Sequence, residues 1–180
     1  MDAYTVPLDP ETELYCTIYL FAYVQNIDEV RLKVLNGELS CAVVKAALVV
    51  DVFQILVAAN KAAVNEKMKQ LTTKSLYTEL LYNLSMSKNI SRSLIEFGIN
   101  DRDKNIVVAQ IHKINDEKSL SQPLLDSVKG ERIAISRLSE FSDHDLIRKT
   151  YKIDDDELTV SNLADSVVSR ISCKECILLK

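Results

Sequence analysis

Three glycines stand in a chain of 180 residues, and none lies near another. Gly37, Gly98 and Gly130 are isolated, so neither G-x-x-x-x-G-K-[ST] nor G-x-G-x-x-G can be assembled and the usual phosphate-cradling loops are excluded. Proline is equally scarce, which argues against a loop-rich or disordered chain. The two histidines, His112 and His144, are far apart, and a surface or capping role is expected of both. There is no G-x-S-x-G elbow and no acid pair in a suggestive motif, so catalytic material is lacking. The acidic start Met1-Asp-Ala-Tyr4 has no apolar segment of a secretory signal, and an intracellular protein with reduced thiols is expected. Asn83-Leu-Ser85 and Asn89-Ile-Ser91 are then chance glycosylation sequons. Cys173-Lys-Glu-Cys176 has no second pair and no nearby histidine, so it does not make a metal site. Asp154 to Glu157 lacks the glycine and alternating ligands of a calcium loop and reads as an acidic linker. The apolar stretch from Cys41 to Ala63 is interrupted by Lys45, Asp51, Gln54, Asn60 and Lys61. It never reaches the roughly 18 uncharged apolar residues of a membrane span. No catalytic residue, metal, cofactor or membrane partner is expected.

What is present is ordinary globular material: 47% hydrophobic and 27% charged residues, enough for one domain over residues 1–180 with a sizeable core. The chain is organised around Ala46 to Met68. Asp51 is placed to cap a helix in which Val52, Ile55, Leu56, Ala59 and Ala63 recur at three- and four-residue spacing. Phe53, Val57 and Val64 widen this stripe, and Gln54, Lys61 and Asn65 leave a narrow polar strip, the pattern of a buried helix. Leu14 to Val24 alternates as a strand, with an aromatic face of Tyr15, Tyr19, Phe21 and Tyr23. That face has no Lys or Arg, so cover by helices is expected of it rather than base stacking. Further helices are read from Asn26, around Leu76–Leu84, after Asn89, over Leu120–Val128, after Ser142 and after a Ser161 cap. Strands are read in Asn105–His112 and Glu131–Ser136, while Leu39–Val44 and Ala47–Val50 are ambiguous. The expected class is α+β: a small, mostly antiparallel sheet packed by several helices.

Charge is unevenly spread. From Lys61 to Arg92 the cations are Lys61, Lys67, Lys69, Lys74, Lys88 and Arg92 against Glu66 and Glu79. This segment is therefore +4 within a chain of −4, leaving −8 on the remainder. A local basic surface on an acidic protein is a footprint expected of a nucleic-acid contact; solvated helix ends give the same pattern.

Val50-Asp-Val-Phe-Gln-Ile-Leu-Val-Ala-Ala-Asn-Lys-Ala62 resembles the signature of the kinase-binding subunits of the KEOPS (EKC) complex. Thr78-Glu-Leu-Leu-Tyr-Asn-Leu-Ser85, Asn89-Ile-Ser91 and Phe97-Gly-Ile99 extend the resemblance, whose order and spacing fit from the first strand to the last helix. The resemblance implies a non-catalytic subunit, in cytoplasm and nucleus, of the machine that makes threonylcarbamoyl-adenosine in tRNA. It implies as partners the kinase-like ATPase subunit, other KEOPS subunits indirectly, and the tRNA acceptor end with its CCA tail. Within the basic segment, Lys61, Lys74, Lys88 and Arg92 are the candidate phosphate contacts. Tyr77, Tyr82 and Ile90, with Asn89 beside them, are candidates for holding bases. The apolar stripe Ala164, Val167, Val168 and Ile171 of the final helix is the candidate kinase surface. A small α+β enzyme with an unrecognised site is the alternative.

Overall fold

The computed structural model describes residues 3–176. Its elements in chain order are β1 (Ala3–Pro7), β2 (Tyr15–Ala22), α1 (Ile27–Leu35), β3 (Ala42–Lys45), α2 (Val52–Lys67), α3 (Leu76–Leu84) and α4 (Ile90–Phe97). Then follow β4 (Ile106–His112), α5 (Glu117–Ser127), β5 (Glu131–Ile133), α6 (His144–Tyr151), α7 (Asp155–Leu158) and α8 (Leu163–Ser172). The five strands form one sheet in the order β1-β2-β4-β3, with β5 on β2 beyond the end of β1. Every pairing is antiparallel, so the expected α+β class holds. No helix among the described residues is long and apolar enough to cross a membrane.

Side chains alternate along a strand, so β2 and β4 feed two cores. Cys16, Ile18, Leu20 and Ala22 join Val107, Ala109 and Ile111 under α2, α3, α6 and α8. Tyr19 and Phe21 join Ile106, Val108 and Val43 against Val30 of α1 and Leu124 of α5. The aromatic face is thus covered by helices, as its lack of cations suggests; only Tyr23, past the end of β2 and at φ +53°, is well exposed.

α2 is the axis of the larger core. The Asp51 carboxylate accepts from Phe53 N at 2.8 Å and caps it as expected. Ala58, Ala59, Ala62 and Ala63 are buried, and α3 and α8 pack along the helix where these small side chains permit close approach. Two neighbours at its start exchange the roles expected of them. Gln54, assigned to the polar strip, is fully buried, whereas Phe53, assigned to the apolar stripe, is 54% exposed. The reason is a polar hub. Gln54 Nε2 donates to Leu48 O (2.9 Å) and to the Tyr151 hydroxyl (3.0 Å), and its Oε1 accepts from Val50 N (3.0 Å). The Tyr151 hydroxyl in turn donates to Leu84 O at 2.7 Å, on the C-terminal end of α3.

Other expectations are corrected. The ambiguous segments resolve into β3 and a 3-10 turn at Ala46–Leu48. Asn26 does not cap α1; its amide donates to Glu29 and Ser127 O, and its Oδ1 accepts from Lys129 N. The cap of α8 is Asn162, accepting from Asp165 N, rather than Ser161. Gly37 takes the left-handed conformation just past α1, at φ +76°, as read from the sequence. His112 is buried rather than superficial: its Nε2 pairs with Thr17 Oγ1 at 2.8 Å and its Nδ1 lies 2.8 Å from Lys113 O. The acidic linker is the one-turn helix α7. Glu157 on it takes two hydrogen bonds of 2.6 Å from the Arg170 guanidinium and so ties α7 to α8.

Two outcomes follow from these contacts. Tyr151→Phe strips the hub of its hydroxyl and leaves Leu84 O unpaired in a buried site. It should cost ~1–3 kcal/mol in urea unfolding; an unchanged midpoint would show the hub to be dispensable. The Arg170 guanidinium holds the Glu157 carboxyl down at about 2 from an ordinary value of 4.5. A depressed carboxyl contributes stability above its unfolded value and loses it as pH falls through its folded value. The stability gap between wild type and Glu157→Gln should therefore be full above pH 4.5 and close between pH 4.5 and about 2. A gap constant across that window would show that the ion pair contributes nothing.

Candidate functional site

The fold distributes six of the eight RNA candidates between the two ends of α3. Lys74 is exposed at the N-terminal end, next to Ser75, which caps the helix in a reciprocal box with Thr78. Tyr77 is one turn inside. Its hydroxyl donates to Ile111 O at 3.1 Å, and burial pushes its phenol up to about 12, so it serves the core rather than an open surface. Lys88, Asn89, Ile90 and Arg92 gather beyond the other end, about 13 Å along a nine-residue helix. There Asn89 Oδ1 accepts from Arg92 N at 2.9 Å and caps α4, fixing the first turn that carries Ile90 and Arg92. Ile90 is exposed, and Lys88 and Arg92 extend into solvent.

The remaining two candidates meet the Cys173–Cys176 segment, which the sequence marks only as a C-x-x-C. Lys61 Nζ donates to Ile171 O at 2.7 Å and to Glu175 Oε2 at 2.8 Å. Tyr82 is 9% exposed, and Lys174 Nζ lies 3.2 Å from its ring centroid while also donating to Tyr82 O. The turn after α8, closed by Cys176 N donating to Cys173 O at 2.9 Å, therefore covers both residues. Lys174 is itself 3% exposed, and burial lowers its ammonium to about 8. No periodicity announces Lys174, because it follows the last helix; its one mark in the sequence is its place inside the C-x-x-C.

Of the six cations between Lys61 and Arg92, Lys67 is also engaged, at 3.1 Å from Glu11 Oε2. Lys69, Lys74, Lys88 and Arg92 have no side-chain partner among the described residues and are exposed. The loop side of α1 is opposite in character. A cleft there is lined by Asp28, Asp101 and Asp103 together with Tyr23 and Lys104, and a hydrogen bond shared with Asp101, which favours a proton on Asp28, raises its carboxyl. Among the described residues no group of three His, Cys, Asp or Glu side chains is placed to hold a metal ion. Cys16 and Cys41 are buried thiols pushed up to about 12 by desolvation, whereas Cys173 and Cys176 are exposed and free.

The α8 stripe divides. Val167 and Ile171, both proposed for the kinase surface, point into the larger core and are almost wholly buried, so that half of the stripe serves the protein's own packing. Ala164 and Val168 lie on the half-buried margin of the same helix.

The profile of the family described as kinase binding protein CGI-121 matches residues 21–175. The EKC/KEOPS complex subunit TPRKB of Danio rerio is 38% identical over 164 residues, covering 91% of this chain and 93% of that protein. The EKC/KEOPS complex subunit cgi121 of Schizosaccharomyces pombe is 27% identical over 173 residues, covering 94% and 97%. The family match runs from the end of β2 through α2 into the turn after α8, and by it this chain belongs to the CGI-121 family of kinase-binding proteins.

Proposed function

We propose that this chain is a non-catalytic subunit of an EKC/KEOPS complex. It binds the complex's kinase-like ATPase subunit, through which it reaches the other subunits. It also helps to recruit the acceptor end of tRNA for threonylcarbamoyl-adenosine formation. The curated relatives carry the names of EKC/KEOPS subunits, and the family is described by kinase binding. The observation that carries the RNA part is the set of four unpartnered cations, Lys69, Lys74, Lys88 and Arg92, on a chain of net charge −4. They lie in a segment, Lys61 to Arg92, that carries +4 on this acidic chain.

Among these positions the first turn of α4 is the most complete. Lys88 and Arg92 supply two phosphate contacts, the Asn89 cap holds their spacing, and Ile90 gives an unstacked base an apolar surface. Lys88→Glu with Arg92→Glu should weaken tRNA binding and flatten the dependence of log affinity on log salt by roughly two units. An unchanged affinity and slope would remove this surface from the reading.

The kinase-like subunit docks on the outward margin of α8. Val168 and Ala164 are held there at fixed spacing while Val167 and Ile171 anchor the helix to the core beneath. An apolar anchor at such a contact contributes ~1–2 kcal/mol, and a carboxylate in its place is far more costly. Val168→Asp should therefore unfold at close to the wild-type temperature and fail to co-elute with the kinase-like subunit. Ile171→Asp should lower the unfolding temperature sharply. A folded Val168→Asp protein that still co-elutes would move the interface to α1, whose Leu32 and Leu35 are 59% and 71% exposed.

A further inference from the structure

The turn at Cys173–Cys176 makes two contacts of the kind that a single-stranded RNA end makes. The Glu175 carboxylate sits on the Lys61 ammonium at 2.8 Å, where a phosphate oxygen would sit. The Lys174 ammonium lies against the face of Tyr82, 3.2 Å from its centroid, where a base would stack. Both contacts belong to one turn and both fall on residues singled out in the sequence as RNA contacts. Beneath them the α2–α3 seam holds an unsatisfied group: Asn83 donates to Ala58 O, but its buried Oδ1 has no partner. The arrangement differs from a packed helix end. Glu175 is 60% exposed in its side chain, so its bond to Lys61 competes with water and with other anions. Lys174 is buried, and among the described residues no carboxylate is bonded to it. Glu79 is already used by Asn65 Nδ2 and Thr73 N, and Glu96 by Ser85 Oγ. Burial accordingly disfavours its charged form, and its place over Tyr82 is held by one carbonyl and one ring.

We infer that the turn after α8 is an autoinhibitory latch. Glu175 and Lys174 occupy a phosphate-and-base subsite formed by Lys61 and Tyr82, and the single-stranded 3′ end of RNA displaces them. This rests on the RNA reading above and adds to it a second subsite that is closed at rest. When the latch is closed, apparent affinity is lowered by the fraction of molecules in which the subsite is free. Binding of the RNA end opens the turn, and engagement of the first turn of α4 by the adjacent backbone brings that end within reach.

The test uses the full chain and a fluorescein-labelled tRNA with its CCA end intact. Glu175→Gln removes the anion from Lys61 without touching the core and should raise affinity roughly threefold to tenfold. Glu38→Gln, a remote exposed acid before β3, controls for net charge and should change affinity little. Lys61→Met added to Glu175→Gln should abolish the gain. Saturation of the wild type with tRNA should speed amide hydrogen exchange over residues 171–176. Equal affinity of wild type and Glu175→Gln would overturn the latch, as would an equal gain in Glu38→Gln or exchange unaffected by tRNA. If no variant binds tRNA at all while each still co-elutes with the kinase-like subunit, the RNA reading falls and the latch falls with it. Binding that is lost in Lys88→Glu with Arg92→Glu but indifferent to Glu175 would retain the first reading and reject only the latch.

Discussion

The Gln54–Tyr151 hydrogen bond holds four parts of the chain in one register. Through Gln54 it fixes the 3-10 turn before α2, and through the Tyr151 hydroxyl it fixes the end of α3, while Tyr151 itself terminates α6. Gln54 and Tyr151 are fully buried, so each of these groups would lose a hydrogen bond without an exposed replacement if one partner left. That asymmetry makes the hub a constraint on geometry more than a source of net stability. It determines where α3 stops, and α3's stopping point sets the place of Lys88 and the start of α4. Apolar contacts such as Phe97 edge-on to Tyr151, with centroids 5.9 Å apart, fill the space around the hub without specifying it.

The sheet divides the molecule into two unequal layers with different characters. The larger core lies under α2, α3, α6 and α8 and takes most of the small side chains, which is why helices come close enough there for side chain to backbone bonds such as Asn83 to Ala58 O. The smaller core, under α1 and α5, is filled by aromatic and branched residues from the opposite faces of β2 and β4. The exposed cations Lys69, Lys74, Lys88 and Arg92 are gathered around α3 and α4, a local excess that a net charge of −4 conceals.

Much of this was legible in the residues. The period-two alternation of β2, the capped α2 and the β4 run all emerged where their patterns placed them, because each is long enough for burial on one side to dominate. Gln54 was misread because periodicity measures polarity, and a buried amide with three partners is polar and internal at once. Its neighbour Phe53 then had to face outward, since adjacent helical residues point about 100° apart. His112 escaped for the same reason: a strand-end histidine reads as superficial until Thr17, far away in sequence, is seen beside it. Among the candidate residues, Lys88 to Arg92 form one local group because cap, cations and apolar residue are contiguous in sequence. Lys61 and Tyr82 were proposed by type, but their contacts with Glu175 and Lys174 depend on the path of the chain after its last helix, which no local pattern encodes. The α8 stripe was correctly apolar, yet composition alone does not say which half of a stripe meets the protein's own core.

One consequence lies in the sheet margins. β2 is covered along one side by β1 and then by β5, and β3 at the far margin spans only Ala42–Lys45, with Val44 bridged to Gly98. No long row of free backbone N–H and C=O groups is presented by these inner strands, and β1, five residues ending in Pro7, offers little more. Strand addition is thereby discouraged as a mode of association, for a copy of itself as much as for a foreign chain. A protein built this way can be crowded against several neighbours in an assembly and still meet them through helical faces and loops, without the risk of sheets fusing across molecular boundaries.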